Sequence, residues 1–353
     1  MILQLTYIYI LFGLGQAEPS VSGVVGIHHQ SEPKVRIRFD QPDSFVITPS
    51  TTNKVYSISA TDGLMCLKDG RFILYDHYQK SFLLVGRDRK IERVIGARGA
   101  GPGEYTGVVN HCIDEKENLY AYDALQGRIV IFSAPDYRFA KSLQPNCFVS
   151  SLSARKNTIY AVDAYTEKII KIIDSSGKIT HNFHKLESED FRLFTCRFVA
   201  CNILPTDKYF LFIYADRYQF YYYDHSGKLI KKVSFPEDKH TPVASEFLKS
   251  LSPYDISDKH WSYWNSFLRP VLLHWINDQY FLCLLEQSKT FLPSKHFINI
   301  HDKDGNLLLK GISLPQGQLL CGCSGNKIYC IDKDSESDPS QGVKVYVYRI
   351  EVN

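Results

Sequence analysis

Several groups of residues in this 353-residue chain have the types and spacing to do chemistry. The first is the run "GARGAGPGEY", Gly96 to Tyr105, with four glycines and a proline. Glycine-rich loops cradle phosphates with their backbone amides, but such a loop needs a lysine followed by Ser or Thr after the last glycine. Here Gly103 is followed by Glu104 and Tyr105, the G-x-G-x-x-G spacing of a dinucleotide site fails, and the next segment reads as a strand rather than a helix. A carboxylate there repels a phosphate. The run is expected to be architectural, with Arg98, Glu104 and Tyr105 as candidate ligand-binding residues.

Histidine and cysteine supply a second group. His111 in "VNHCID" and His274 in "LLHWIN" share a phase, and Cys66 in "LMCLKD" and Cys321 in "LLCGCSG" fall near it. Imidazole and thiolate are zinc ligands, so His111 and His274 are candidate metal ligands, although no third histidine is in register. Acids form a third group: Asp76, Asp123, Asp163, Asp216, Glu286 and Asp332 each close a similar phrase. The five aspartates could ring a cation, but an Asp at a strand end more simply accepts the amides of the turn it starts. The last group is aromatic. Trp261, Tyr263, Trp264 and Phe267 lie in one long insertion, suited to stacking on a sugar or an apolar ligand or to pinning the insertion down.

The elements that must position these residues follow from a repeat. Aromatic residues make up 13% of the chain, and β-branched and aromatic residues fill short runs. One phrase recurs as "RFILYD", "NLYAYD", "NTIYAVD", "YFLFIYAD", "YFLCLLE" and "KIYCID", each followed by another strand such as "RIVIFS" or "YQFYYYD". In three units the turn "DSSGKI", "DHSGKL" or "DKDGNL" then leads into a fourth strand, with Gly177, Gly227 and Gly305 at the turn. Each unit is a four-stranded antiparallel meander, and six of them predict an all-β, six-bladed β-propeller. The sixth unit ends after its third strand. An open edge would leave a bare ladder, so "KVRIRF" or "SFVITP" near the N-terminus is expected to pair into the last blade. If Gly325 and Asn326 form a two-residue hairpin, Cys321 and Cys330 face each other closely enough for a bridge.

With the repeat and the glycine run in hand, the chain resembles uncharacterised exported six-bladed propellers marked by a "GxGPGEY" loop, here "GAGPGEYTGVVNHCIDEKENLYAYD". It resembles the NHL and TolB-like propellers more loosely. The resemblance implies fold and export rather than an activity. Histidines of the central channel hold zinc in some NHL-type lyases, so a metal-dependent lyase or lactonase with a channel-centred site stands as the alternative to a binding module.

Charge and composition narrow the partners. A net charge of +3 spread over 41 basic and 38 acidic residues, without runs, argues against nucleic acid and anionic membranes. The uncharged start "MILQLTYIYILFGLGQA" reads as a signal peptide over residues 1–17, with Gly15 and Ala17 at the cleavage site. Residues 18–353 are then one propeller domain, exported to the periplasm or cell surface and without a transmembrane segment. It is expected to be a monomer that binds a small molecule, glycan or protein on the face bearing the blade-to-blade crossings. No cofactor is implied.

Overall fold

The computed structural model describes residues 35–48, 61–76, 79–163, 165–185, 202–213, 218–235, 269–289, 292–332 and 342–352. These build six four-stranded antiparallel sheets. The first blade is β2 (Thr61–Cys66), β3 (Phe72–Asp76), β4 (Ser81–Val85) and β5 (Ile91–Ile95). A two-stranded parallel ladder of β6 (Ala97–Arg98) and β7 (Glu104–Tyr105) follows. The second blade is β8 (Val108–Ile113), β9 (Leu119–Asp123), β10 (Arg128–Ser133) and β11 (Arg138–Leu143). The third is β12 (Ser151–Arg155), β13 (Thr158–Val162), β14 (Lys168–Ile173) and β15 (Ile179–Lys185). The fourth is β16 (Asn202–Pro205), β17 (Phe210–Ile213), β18 (Gln219–Tyr223) and β19 (Leu229–Ser234). The fifth is β20 (Arg269–Asn277), β21 (Tyr280–Lys289), β22 (Leu292–Asp302) and β23 (Leu307–Ser313).

The sixth blade takes β24 (Gln318–Ser324), β25 (Lys327–Asp332) and β26 (Val343–Val352), and its fourth strand is β1 (Val35–Ile47). The pairing runs from Val35 opposite Val352 to Ile47 opposite Val343, with a bulge between Arg38 and Asp43. Both N-terminal segments proposed from the sequence therefore belong to one closing strand. Across the seam Phe45 stacks on Phe72 of the first blade with centroids 5.5 Å apart, and the Arg89 guanidinium lies 4.3 Å from one ring and 4.7 Å from the other.

Burial explains why the sequence phrases were continuous rather than alternating. A blade's sheet is covered on both sides by its neighbours, so its middle strands are apolar on both faces. All five residues of β3 and β9 are buried, while β11 and β19 on the rim are mostly exposed. Apolar clusters fill the gaps between blades: Leu74 and Leu83 pack with Val345 and Ile331 at the seam, and Tyr75 and Phe82 with Ala121 and Phe132 in the next gap. The inner strands of neighbouring blades touch, β8 with β12, β12 with β16, β16 with β20 and β24 with β2.

The sixth-blade hairpin corrects one expectation. Ser324 does face Lys327, but the register slips at a bulge, so that Gly322 faces Tyr329 and Leu320 faces Cys330. Cys321 is the extra residue of that bulge, its thiol donates to the Tyr329 carbonyl at 3.2 Å, and Cys321 and Cys330 are both free. The cause lies in the neighbouring blade: a Cβ on Gly322 would stand 2.2 Å from the Leu64 carbonyl oxygen, so β24 presses its backbone on β2 there.

Candidate ligand face

In a meander that starts at the axis, the first strand leaves one face of the disc. The turn between second and third strands, and the crossing from a fourth strand to the next blade, return to that same face. The opposite face receives the other two turns of each blade.

The glycine loop is one such crossing, and it is tied down by backbone. Ala97 N donates to Gly103 O at 3.3 Å and Gly99 N to Tyr105 O at 3.2 Å. Arg128 of β10 donates to Gly101 O at 3.3 Å and Glu104 O at 3.0 Å. Gly96 has φ 74°, and a Cβ there would sit 2.6 Å from the Tyr105 ring and 2.8 Å from Gly103 O. Gly103 also has φ 74°, with Phe139 Cβ 2.9 Å from where its own Cβ would be. Only glycine fits both sites. The loop thus lies over Phe132 and Phe139, on the rim half of the second blade.

The residues expected to bind ligand there have separate fates. Arg98 is exposed and has no ion pair among the described residues. Glu104 turns its carboxylate back onto Gly101 N at 2.7 Å. Tyr105 is 1% exposed. Its hydroxyl donates to Ile95 O at 2.6 Å and accepts from Phe82 N at 3.1 Å, and burial raises its pKa to about 12. Tyr105 therefore bolts the first blade to the second and offers a ligand no surface.

The acids at the ends of the second strands do serve turns, and they also hold crossings. The buried Asp123 carboxylate accepts Thr106 N at 3.0 Å and Gly107 N at 2.9 Å, from the crossing that enters its own blade. Asp76 accepts Gln79 N at 3.0 Å. Asp163, also buried, accepts Tyr165 N at 3.0 Å in the turn that follows it, while Ser150 N of the incoming crossing donates to Val162 O at 2.8 Å. Burial raises the Asp163 pKa, and it lowers that of Lys171 beneath, whose ammonium donates at 2.8 Å to both Lys168 O and Asn182 Oδ1. Asp216 lies outside the described residues.

This clamp presents aromatics that the sequence reading passed over. Phe148 is 37% exposed and Tyr165 52%. Their rings meet edge to face at 5.0 Å and 88°. Phe148 rests in turn on Tyr122, whose hydroxyl donates to Cys147 O at 3.3 Å. Leu125 in the second-blade turn and Val109 at the start of β8 are exposed on the same face. The available signal was position: both rings fall outside the strand phrases, in "NCFVS" and "DAYTEK".

The two candidate histidines lie on separate blades, each packed in a gap between sheets. Because each sheet stands radially, inner-strand side chains turn toward a neighbouring blade rather than the axis. His111 packs on Tyr75 and Phe82 of the first blade, at 5.2 Å and 5.3 Å between centroids. His274 is on the fifth blade, with Nε2 buried and without a hydrogen-bond partner among the described residues. Burial pushes both imidazoles down to about 4. Among the described residues no group of three or more His, Cys, Asp and Glu side chains is placed to hold a metal ion. Burial likewise pushes the Cys66 thiol up to about 12, and Cys321 is shifted upward too, leaving both as packed, unreactive groups.

The opposite face is closed by self-satisfied turns. Asp174, Asp224 and Asp302 each accept the amides two and four residues on, as with Ser176 N at 2.8 Å and Lys178 N at 3.1 Å. Neighbouring first turns also bind one another: Glu115 accepts Lys156 N at 3.0 Å, and Arg155 donates to Asp207 at 2.9 Å. Trp261 and Trp264 lie outside the described residues.

Comparison with known proteins agrees with this architecture. Residues 45–181, from the end of β1 into β15, match a family model described as a 6-bladed beta-propeller. The fold is a six-bladed β-propeller. A protein of Bacteroides fragilis NCTC 9343 described as exported is 13% identical, with a TM-score of 0.63 over 88% of this chain and 95% of its own. A member of the duf4221 family from Bacteroides vulgatus is 7% identical, with a TM-score of 0.65 over 92% of this chain and 100% of its own. Virginiamycin B lyase from Staphylococcus aureus, solved in a catalytically inactive form with quinupristin, is 12% identical. Its TM-score is 0.51 over 88% of this chain and 99% of its own. At these identities the likeness is one of fold. No curated protein matches the chain.

Proposed function

We propose that the chain is an exported binding module that takes a glycan, peptide or other small ligand on the crossing face of the propeller. One observation carries this reading: Val109, Leu125, Phe148 and Tyr165 expose apolar surface on that face, whereas the opposite turns spend their polar groups on themselves. Phe148 and Tyr165 touch, and clustered exposed apolar side chains mark interaction sites more often than scattered ones do. Arg98 adds a cation toward the rim, and Trp261 and Trp264 belong, by their place between a fourth and a first strand, to a crossing as well. Export rests on the uncharged N-terminal run and on the likeness to a protein described as exported. The test is amide hydrogen exchange on the full chain with the best hit from a glycan and peptide array. Protection is expected at residues 144–150 and 163–168, and protection confined to residues 174–178 and 224–228 would move the site to the other face.

A metal-dependent lyase is the second reading, favoured by His274 Nε2 at the inner edge of the fifth blade, buried and unpartnered among the described residues. Metal analysis of purified protein decides it. Stoichiometric zinc lost on His274→Ala would displace the binding-module reading, and metal-free protein would dispose of the lyase.

A further inference from the structure

We propose that the corner formed by Phe148 and Tyr165 is a subsite for one pyranose ring of a neutral glycan; this rests on the crossing face being the ligand face. The pair is built rather than incidental. The Tyr165 amide donates to the buried Asp163 carboxylate at 3.0 Å. Asn110 Nδ2 holds the next carbonyl, Val149 O, at 3.2 Å, and Ser150 N donates to Val162 O at 2.8 Å. The segment on either side of Phe148 is thus fixed, and Tyr122 supports its ring from below. Each aromatic side chain leaves over a third of its surface in water.

The surroundings select the occupant. An extended peptide recognised by strand addition needs unpaired backbone donors and acceptors. Here the amides of Thr106, Gly107, Ser150 and Tyr165 are already taken up within the protein. A polyanion needs several cations. Near the corner, among the described residues, Lys171 is buried and bonded and Lys185 pairs with Glu167, which leaves Lys168. What the corner offers is two aromatic surfaces at right angles and the Tyr165 hydroxyl, which has no protein partner among the described residues. A sugar ring matches this: its C–H face lies on one aromatic ring, its edge meets the other, and its hydroxyls find a phenol.

The experiment titrates the full chain by calorimetry with maltohexaose, cellohexaose, xylohexaose and mannohexaose, beside a polygalacturonate oligomer and the best peptide from an array. At least one neutral hexasaccharide is expected to bind, with Phe148→Ala and Tyr165→Ala each weakening it 10-fold or more and Tyr165→Phe weakening it about 3-fold. All three variants should melt within about 2 °C of wild type, as expected for exposed side chains. The subsite is overturned if no neutral hexasaccharide binds, if only the polygalacturonate or the peptide does, or if the alanine variants bind as wild type. Peptide binding that protects residues 144–150 from hydrogen exchange would refute the sugar while keeping the crossing face. Sugar binding that protects only the opposite turns would refute both.

Discussion

Acidification should unfold this propeller in part through His301, and the size of the effect follows from its surroundings. The imidazole is fully buried in the gap between the fourth and fifth blades, stacked on Phe281 at 5.2 Å and 16°. Nδ1 donates to Gly305 O at 3.2 Å, which leaves Nε2 to accept from the Tyr218 hydroxyl. That hydroxyl accepts in turn from Asn299 Nδ2 at 2.7 Å. The network requires the neutral ring, and burial pushes its pKa from 6.5 down to about 4. A histidine depressed in the folded state is protonated first in the unfolded chain, so its contribution is complete above pH 6.5 and is lost as pH falls toward 4. Each pH unit in that window costs about 1.4 kcal/mol, so moving from pH 6.5 to pH 5 removes about 2 kcal/mol through this one group. Urea unfolding of wild type and His301→Gln at pH 7 and pH 5 measures it, because Gln cannot titrate. The wild type should lose about 2 kcal/mol more than the variant between the two conditions. Equal losses would mean that the ring is solvated or already charged, and the reasoning would fail. Tyr218→Phe adds a check: it strips a donor from Nε2 and an acceptor from Asn299, costing about 2–4 kcal/mol at pH 7. It should also flatten the pH dependence, since the neutral ring loses a bond that favours it.

Other expectations concern the seam, the glycine loop and the thiols. Deleting residues 18–50 removes β1 and leaves β26 with a bare edge, so the truncated chain should aggregate in light scattering; a monomer melting like wild type would refute closure by β1. Arg89→Ala should lower stability by about 1 kcal/mol in urea by taking the cation from the Phe45 and Phe72 rings, whereas no loss would mean that the rings close the seam unaided. Gly103→Ala places a methyl against Phe139 at positive φ and should cost about 2 kcal/mol, while an unchanged urea midpoint would show that the loop yields freely. Peptide mapping without reduction should recover Cys321 and Cys330 as thiols, and a bridged peptide would contradict the bulged register.

Much of the disc was legible because its signals are local. The second and third strands read as continuous apolar phrases, since both faces of each blade are covered. The missing fourth strand of the last unit demanded β1, and glycines beside Glu104 excluded a phosphate loop. What escaped was set by residues distant in sequence. The Cys321 bulge answers to the Leu64 carbonyl on another blade, so no count outward from the hairpin at Gly325 could find it. Tyr105 read as a loop residue because its partners, Ile95 O and Phe82 N, are backbone atoms of the preceding blade. His111 and His274 shared a phase, but phase along radial sheets places a side chain between blades and not on the axis.

The same distinction separates the repeated part of the molecule from the part that can be specific. Asp123 and Asp163 occupy equivalent positions; Asp123 clamps the crossing that enters its blade, and Asp163 holds the turn that follows it. At the second blade the held residues are Thr106 and Gly107, small and polar; at the third it is Tyr165, whose ring packs against Phe148. The acid therefore belongs to the fold, and the residue it holds belongs to the site. Recognition in this propeller is accordingly sought where the repeat falls out of phase. Changing Asp163 should perturb the corner through its backbone, whereas changing Phe148 should alter binding and leave the blade intact. Asp163→Asn, which keeps the shape and loses the charge, is expected to lower both melting temperature and ligand affinity, and Phe148→Ala affinity alone. If Asp163→Asn lowers the melting temperature but binds normally, the aromatics do not depend on the clamp, and the link between fold and site drawn here is wrong.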